Sequence, residues 1–304
     1  MIAFAQNLID ALSLGSLYAL VALGIGLLFG ILRLINLAHG DFITVGAYAL
    51  IVPSVEATAQ LAIGGFHPVI LVPSIALIVV ILALLTDAAV FRPMRRAPQP
   101  SLMIASFAVS YIIQNGLILV YGARPKNLNL WPALTGQISL GELRVPALQL
   151  VTIVTTLVLM TALALFLKRT SWGVQMRAAA EDFRMARYLG VRGNLVIGMA
   201  FAISGALAAI VSLLFLSQTG SLETGLGVPL ALFGLVAVVI GGMGSLVGAV
   251  VGGFLVGFIV TLLQAYLPVD LRSFRDAFAF AFVIVILLWR PAGLIRAKAF
   301  EQRV

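Results

Sequence analysis

Residues 8–32 read LIDALSLGSLYALVALGIGLLFGIL, a run with no Lys or Arg anywhere in it. An α-helix rises about 1.5 Å per residue, so a run of this length covers the roughly 30 Å of a bilayer's hydrocarbon core. Similar runs follow along the chain at about 36–52, 69–91, 101–121, 147–167, 193–217, 227–241, 245–266 and 276–290. They predict an all-α, polytopic transmembrane bundle of about 8–10 spans, nine on this count. Composition points the same way: 62% of the 304 residues are hydrophobic and 10% are charged, too few charges to cover a water-soluble surface. The stretch 227–266 reads either as two short crossings or as a re-entrant pair around Gly241-Gly-Met-Gly244.

Basic residues set an orientation. Arg33, the Arg92/Arg95/Arg96 group, the cluster from Lys168 to Arg192, and Arg290, Arg296, Lys298 and Arg303 fall on one side of a nine-span chain. They are 14 of the 19 Lys and Arg residues. Cytoplasmic loops are enriched in these residues, which predicts an outside N-terminus and a cytoplasmic C-terminus. The net charge of +8 is thereby explained without a nucleic-acid partner. The first 32 residues lack the basic n-region of a cleavable signal, so the first run is expected to remain as a span. There is no cysteine, and the only histidines are His39 and His67, which excludes thiolate or multi-histidine metal sites. None of the three lysines follows a glycine, so the chain has no phosphate-binding loop of its own. The Gly-x-Ser-x-Gly and His-Glu-x-x-His signatures are absent too, and an enzyme is not expected.

The informative polar cluster is Asn36, His39, Gly40 and Asp41. Ionisable residues inside a membrane are costly and face a cavity or a partner. Three uses fit: capping of freed backbone groups with Arg33 pairing Asp41, a translocation path or gate at a broken helix, or a proton relay through His39 and Asp41. Glycine spacing marks packing faces at Gly26/Gly30 and at Gly244, Gly248 and Gly252. The glycine-broken stretches GILRLINLAHGDFITVGA (30–47) and GGMGSLVGA (241–249) share a character that suggests an internal repeat with broken helices. On the outer side, the loop 122–146 carries Trp131-Pro132 and a short hairpin expected around Gly141; it reads as an interfacial cover or as a docking surface.

The loop 170–192 is too charged to cross a membrane. From Val174 to Leu189 it consists of good helix formers without proline, and Gly190 stands where a C′ glycine ends a helix. Arg177, Glu181, Asp182, Arg184 and Arg187 are expected to face water or a partner, with Met176, Ala180, Phe183 and Met185 offering an apolar contact. Such an amphipathic helix lies on a membrane surface or seats in a partner's groove.

These stretches resemble a known family. INLAHGDFITVGAY (35–48) is similar to the N-terminal signature of branched-chain amino-acid ABC transporter permeases, RAAAEDFRMARYLGV (177–191) to their cytoplasmic coupling loop, and GGMGSLVGA (241–249) to their late glycine-rich segment. The resemblance spans nearly the whole chain as a single permease domain, 1–304. It implies a bacterial inner-membrane protein surrounded by lipid. Its partners would be two cytoplasmic ABC ATPase subunits that bind the ATP, a second related permease subunit in a heterodimer, and a periplasmic solute-binding protein. No cofactor is implied in this chain. Arg177, Glu181, Asp182, Ala186 and Gly190 would belong to the coupling loop, Ala186 and Gly190 keeping its small-residue end. Asn36, His39, Gly40 and Asp41 would lie along or beside the path. The cargo would be a branched-chain or related small amino acid; related permeases carry urea, short amides or aromatic acids, and no residue here separates these. A proton-coupled carrier using His39 and Asp41 is the competing mechanism.

Overall fold

The computed structural model describes residues 2–54, 56, 59–134, 136–140 and 143–295. Eleven helices dominate it: α1 (Ile2–Leu32), α2 (His39–Tyr48), α3 (Pro68–Thr86), α4 (Gln99–Tyr121), α5 (Ala147–Arg169), α6 (Ser171–Glu181), α7 (Phe183–Tyr188), α8 (Gly193–Thr219), α9 (Gly227–Gly241), α10 (Leu246–Tyr266) and α11 (Arg275–Trp289). The strands are short. β1 (Lys126–Asn127) pairs antiparallel with β4 (Ser221–Leu222), and β2 (Gln137–Leu140) with β3 (Leu143–Pro146). The expected hairpin is thus present, with Ile138 opposite Val145, although Gly141 itself lies outside the described residues. Arg296, Lys298 and Arg303, counted above toward orientation, lie outside them as well.

Among the described residues, six helices are long and apolar enough to cross a membrane: Phe4–Leu32, Pro68–Phe91, Gln99–Tyr121, Ala147–Arg169, Gly193–Thr219 and Leu246–Tyr266. The chain is therefore an all-α polytopic membrane protein. The other three expected spans are shorter: α2 has 10 residues, and α9 and α11 have 15 each. At its helical rise α2 covers only about 15 Å, half of a hydrocarbon core. The segment 36–52 is thus a half-length helix followed by irregular backbone. That backbone is satisfied within the protein: Val52 donates to Gln60 O at 2.8 Å, and Ala62 and Gly64 donate to Leu50 O at 2.9 and 3.0 Å. Non-helical chain at membrane depth is tolerated only when protein covers it, and Leu50 and Ile51 are fully buried.

The chain forms two compact units. One comprises Met1–Gly26, Trp131–Leu163 and Phe233–Val304; the other comprises Leu27–Leu130 and Ala164–Leu232. In the first unit, α9 and α10 form an antiparallel hairpin through the turn Gly242–Ser245, in which Ser245 Oγ accepts from Gly248 N at 3.0 Å. Gly248 and Gly252 lie where α10 meets Gly241 and Ala237 of α9. Gly244 stands before α10, with φ +91°, so the expected three-glycine stripe on one helix reduces to two. Aromatic rings continue across this unit, with Tyr18 5.2 Å from Phe233 and Phe233 stacked 5.4 Å from Phe280.

In the second unit, α2 is the central element. Leu37 N and Asp41 meet Ser106 and Gln114 of α4, and the Tyr48 and Tyr121 rings lie 4.8 Å apart, so α2 and α4 run in the same direction. His39 and Gly46 meet Ser204 and Ser212 of α8, again in parallel order. The antiparallel α3 closes the group, with Val79 beside both Gly46 and Gly205.

Candidate functional site

The break between α1 and α2 begins at Arg33, whose backbone is left-handed at φ 55°. A non-glycine residue in that region ends an α-helix, and six residues pass before α2 starts. Asn36 Oδ1 accepts from the Ala38 N–H at 3.1 Å, taking one of the donors that a helix start leaves unpaired. This fixes the amide orientation, because the oxygen must face the N–H. The four candidate residues of this stretch then diverge. His39 Nδ1 lies 3.1 Å from Ser204 Oγ on α8. Gly40 faces the start of α9, where a Cβ would come within 2.6 Å of Gly227 O. Asp41 Oδ1 accepts from Gln114 Nε2 on α4 at 2.9 Å. Asp41 is held by Gln114 and not by Arg33; neither ion pair among the described residues includes it.

Each contact is built by a simple helical pattern. Ser106, Ser110 and Gln114 are spaced by four, which places them on one stripe of α4. Gln114 Nε2 also reaches Ser110 Oγ at 3.1 Å, and Ser106 Oγ donates to Met103 O while accepting from Leu37 N at 3.3 Å. This stripe was not among the candidates read from the sequence, although its spacing was visible there. Thr44 adds a bridge: its hydroxyl donates to Gly40 O at 3.1 Å and accepts from Gly227 N at 3.0 Å, tying α2 to α9.

The segment is buried yet incompletely paired. Asn36, His39 and Asp41 are 2%, 0% and 0% exposed. Even so, Asn36 Nδ2, His39 Nε2, Asp41 Oδ2 and Tyr48 Oη have no hydrogen-bond partner among the described residues. An unpaired buried polar atom costs about 1–3 kcal/mol, so such a group needs an explanation of its own. No cluster of three metal-ligating side chains gathers among the described residues.

A second polar centre lies at the far end of α3. Residues Asp87–Phe91 form a π-helical turn in which Arg92 N donates to Asp87 O at 2.7 Å. Such turns are frequent at functional sites. Arg95 Nη2 makes two 3.0 Å bonds to the Asp87 carboxylate, and Arg95 Nη1 donates to Asn194 at the start of α8. The pair is only partly exposed, so its two charge-assisted bonds count. Asp87→Asn is expected to cost about 1–3 kcal/mol by weakening them, read as a lowered thermal midpoint in detergent; an unchanged midpoint would show that the pair is ornamental.

The loop 170–192 folds as two helices where one was expected. The break is at Asp182, whose carboxylate Oδ1 accepts from the N–H groups of Arg184 and Met185 at 2.9 and 3.0 Å and so starts α7 afresh. Good helix formers on both sides lose to this cap. At the other end Val191 N donates to Ala186 O and Gly190 N to Arg187 O, at 3.0 and 3.1 Å. With Gly190 at φ +89° this is a Schellman ending. Arg177, Glu181, Asp182 and Gly190 are exposed, while Ala186 is buried. Met176 also packs inward, 1% exposed, so it is unavailable to a partner. The apolar surface that α7 does present is Met185, Tyr188 and Leu189, the last two 79% and 83% exposed. Phe183 meanwhile lies against Gly193, the first residue of α8, which ties α7 to that helix.

A family model described as the permease component of a branched-chain amino acid transport system matches residues 7–287. The chain belongs to this permease family. It is 30% identical to the high-affinity branched-chain amino acid transport system permease protein BraD of Pseudomonas aeruginosa, over 98% of both chains. It is likewise 30% identical to the permease LivH of Salmonella typhimurium, over 98% of this chain and 97% of that one. A shorter likeness, 36% over 31% of this chain, links it to the autoinducer 2 import system permease LsrC of Salmonella paratyphi B. No solved structure matches the chain. Family membership makes this permease a multi-pass membrane transport component.

Proposed function

We propose that the chain is the membrane-spanning permease subunit of an ATP-binding-cassette importer that brings branched-chain or closely related amino acids across a bacterial inner membrane. Two cytoplasmic ATPase subunits bind the ATP and drive it, a second related permease completes the membrane portion, and a periplasmic binding protein delivers the solute. The N-terminus faces outward and the C-terminus the cytoplasm. The observation that carries the reading is the α6–α7 element: a charged pair of short helices, rigidly capped at Asp182 and Gly190, with Tyr188 and Leu189 bare. Two large apolar side chains exposed beside five charges suit a groove on a soluble partner. Displacement of α7 reaches α8 through Phe183 and Gly193, and from Asn194 it reaches the Arg95–Asp87 pair just beyond the end of α3.

Asn36, His39, Gly40 and Asp41 lie along the translocation path in this reading. A proton relay from His39 to Asp41 draws no support from their partners. Two residues apart on a helix they point about 200° apart, one to α8 and the other to α4.

The test is purification of the tagged permease from its native membrane in mild detergent, with co-purifying chains identified by mass spectrometry. A P-loop ATPase is expected with the wild type and not with Tyr188→Ser combined with Leu189→Ser. A permease recovered alone, whose uptake in liposomes follows a pH gradient without ATP, would overturn the reading in favour of a carrier.

A further inference from the structure

Helix α10 changes character along its length. Gly253 and Gly257 turn toward Ala19 and Gly15 of α1. On the opposite face, Gly248 and Gly252 admit the backbone of α9 in the first half of the helix. In the second half that face becomes a stripe of large side chains: Leu255, Phe258, Ile259, Leu262, Leu263 and Tyr266, spaced by three and four residues. On α11, Phe282, Val285, Ile286 and Trp289 repeat the spacing. The ring of Phe280, two residues before Phe282, is stacked on Phe233 of α9, which holds α11 by a different side. The two stripes line one cavity of about 650 Å³, with Leu267 and Pro268 at one end. Tyr266, Phe282 and Trp289 on its rim are exposed, so the cavity is an open groove.

Empty apolar space forfeits the dispersion contacts of its lining, so in a bilayer this groove is filled. A helix is too large for it. From Leu255 to Leu267 the groove runs about 18 Å, and a helix about 10 Å across fills on the order of 1,400 Å³ over that length. Helix contacts in membranes also favour Gly, Ala, Ser and Thr, which let backbones approach; none of these lines the groove. A lipid acyl chain is thinner and bends around large side chains. The length suits it, since one leaflet supplies about 15 Å of a hydrocarbon core about 30 Å thick.

Charge at the end of the groove says which lipid. Arg272 Nε donates to Leu267 O at 3.3 Å, which places the guanidinium over that end. Its two terminal nitrogens make no hydrogen bond or ion pair among the described residues, whereas Arg275 is engaged by Asp276 and Gln264. A guanidinium presents N–H donors in the fork that matches a phosphate. Asp270, in the same turn as Arg272, forms no ion pair among the described residues either. One free base and one free acid suit a headgroup that bears both signs.

We infer that the groove between α10 and α11 is a lipid-binding site, holding one acyl chain of a zwitterionic glycerophospholipid whose phosphate sits on Arg272. The site uses no residue of the segment 36–41 or of α6–α7 and requires neither cargo nor ATP.

The experiment places the full-length permease, with the subunits that co-purify, in vesicles of phosphatidylethanolamine and phosphatidylglycerol. The vesicles carry a trace of phosphatidylethanolamine with a photoreactive acyl chain, and its adducts are located by peptide mass spectrometry. Exposed residues of other spans, Leu77 on α3 and Ile112 on α4, report ordinary bilayer contact. Labelling of 255–268 and 282–289 is expected to exceed theirs at least fivefold. Ile259→Trp combined with Val285→Trp fills the groove and is expected to bring its labelling down to their level. Arg272→Gln, at an exposed position, leaves the packing alone and is expected to lower groove labelling at least threefold. A diacylglycerol with the same photoreactive chain and no phosphate is expected to label the groove at least threefold less than the phospholipid, and equally in wild type and Arg272→Gln. Wild-type groove labelling equal to that of Leu77 and Ile112 would overturn the site in favour of ordinary bilayer lipid, and lower labelling would overturn it in favour of a helix from a second chain. Equal labelling by the two probes, or an indifferent Arg272→Gln, would overturn the phosphate assignment.

Discussion

Gly227→Ala is expected to prevent accumulation of the folded permease. The first turn of α9 crosses α2 with backbone directly on backbone: a Cβ on Gly227 would overlap Gly40 O, with Gly40 C at 2.7 Å and Thr44 Oγ1 at 2.9 Å. The reverse substitution fails for the same reason, since a Cβ on Gly40 would sit 2.6 Å from Gly227 O and 3.0 Å from Ala231 Cβ. Overpacking in a core usually costs about 1–3 kcal/mol because side chains rotate away. Here the obstacle is main chain with no rotamer to change, and relief would also break the Gly227 N to Thr44 Oγ1 bond. The expected loss is therefore at or above the upper end of that range. It is measured as the monodisperse fraction after detergent extraction and gentle heating. Gly116→Ala is the control: it lies inside α4 with no neighbouring atom within 4 Å of a Cβ, and alanine there is expected to be neutral or stabilising by up to about 1 kcal/mol. Equal behaviour of the two variants would show that α2 and α9 do not meet as described.

The contrast between those two glycines was hidden in the sequence. Gly227 follows Leu226 and Gly116 follows Asn115, yet no spacing distinguishes a glycine under a crossing helix from one facing open space. The six long spans were legible because twenty uncharged apolar residues leave a chain few other fates. The half-length of α2 was not: Leu50-Ile51-Val52 prolongs the apolar run, and a buried irregular strand of chain has the same hydropathy as a helix turn. Asn36, His39 and Asp41 were visible as rare polar residues in such a run; the turn from Asn36 to the Ala38 N–H is local, but the divergence of Asp41 toward α4 and His39 toward α8 depends on contacts distant in sequence. The stripe Ser106, Ser110 and Gln114 had a readable spacing. Serine and threonine in membrane helices often bond only their own preceding turn, as Ser74 and Thr161 do here, so the stripe gained meaning once Asp41 was found opposite it. At the α6–α7 break the sequence was ambiguous in principle, because an aspartate on a helix surface and an aspartate capping a new helix look alike until the backbone is seen. The Gly190 ending was legible, since the glycine follows the last good helix former.

Gly173→Val is expected to separate ATP hydrolysis from transport. Gly173 lies in the first turn of α6, where the chain reverses after α5. Thr170 organises the reversal, donating to Phe166 O at 2.7 Å and accepting from Gly173 N at 3.0 Å. A Cβ at 173 would overlap Phe166 O and stand 2.5 Å from Leu167 Cα. Valine can be accommodated only if α6 swings away from the end of α5, and α7 and Phe183 move with it. The span α5 is complete before this point, so insertion should be unaffected. In the importer reading the ATPase still finds Tyr188 and Leu189, but their displacement no longer reaches Gly193 and Asn194 in register. Leucine uptake per ATP hydrolysed is then expected to fall at least tenfold while the amount of bound ATPase stays near wild type. Gly190→Ala offers the graded comparison: its φ of +89° strains a side chain, yet no atom lies within 4 Å of a Cβ there. That strain is roughly 1–2 kcal/mol, enough to loosen the end of α7 without moving α6, so its coupling should fall less than that of Gly173→Val. If the order is reversed, the end of α7 and not the elbow before α6 sets the geometry that the ATPase reads.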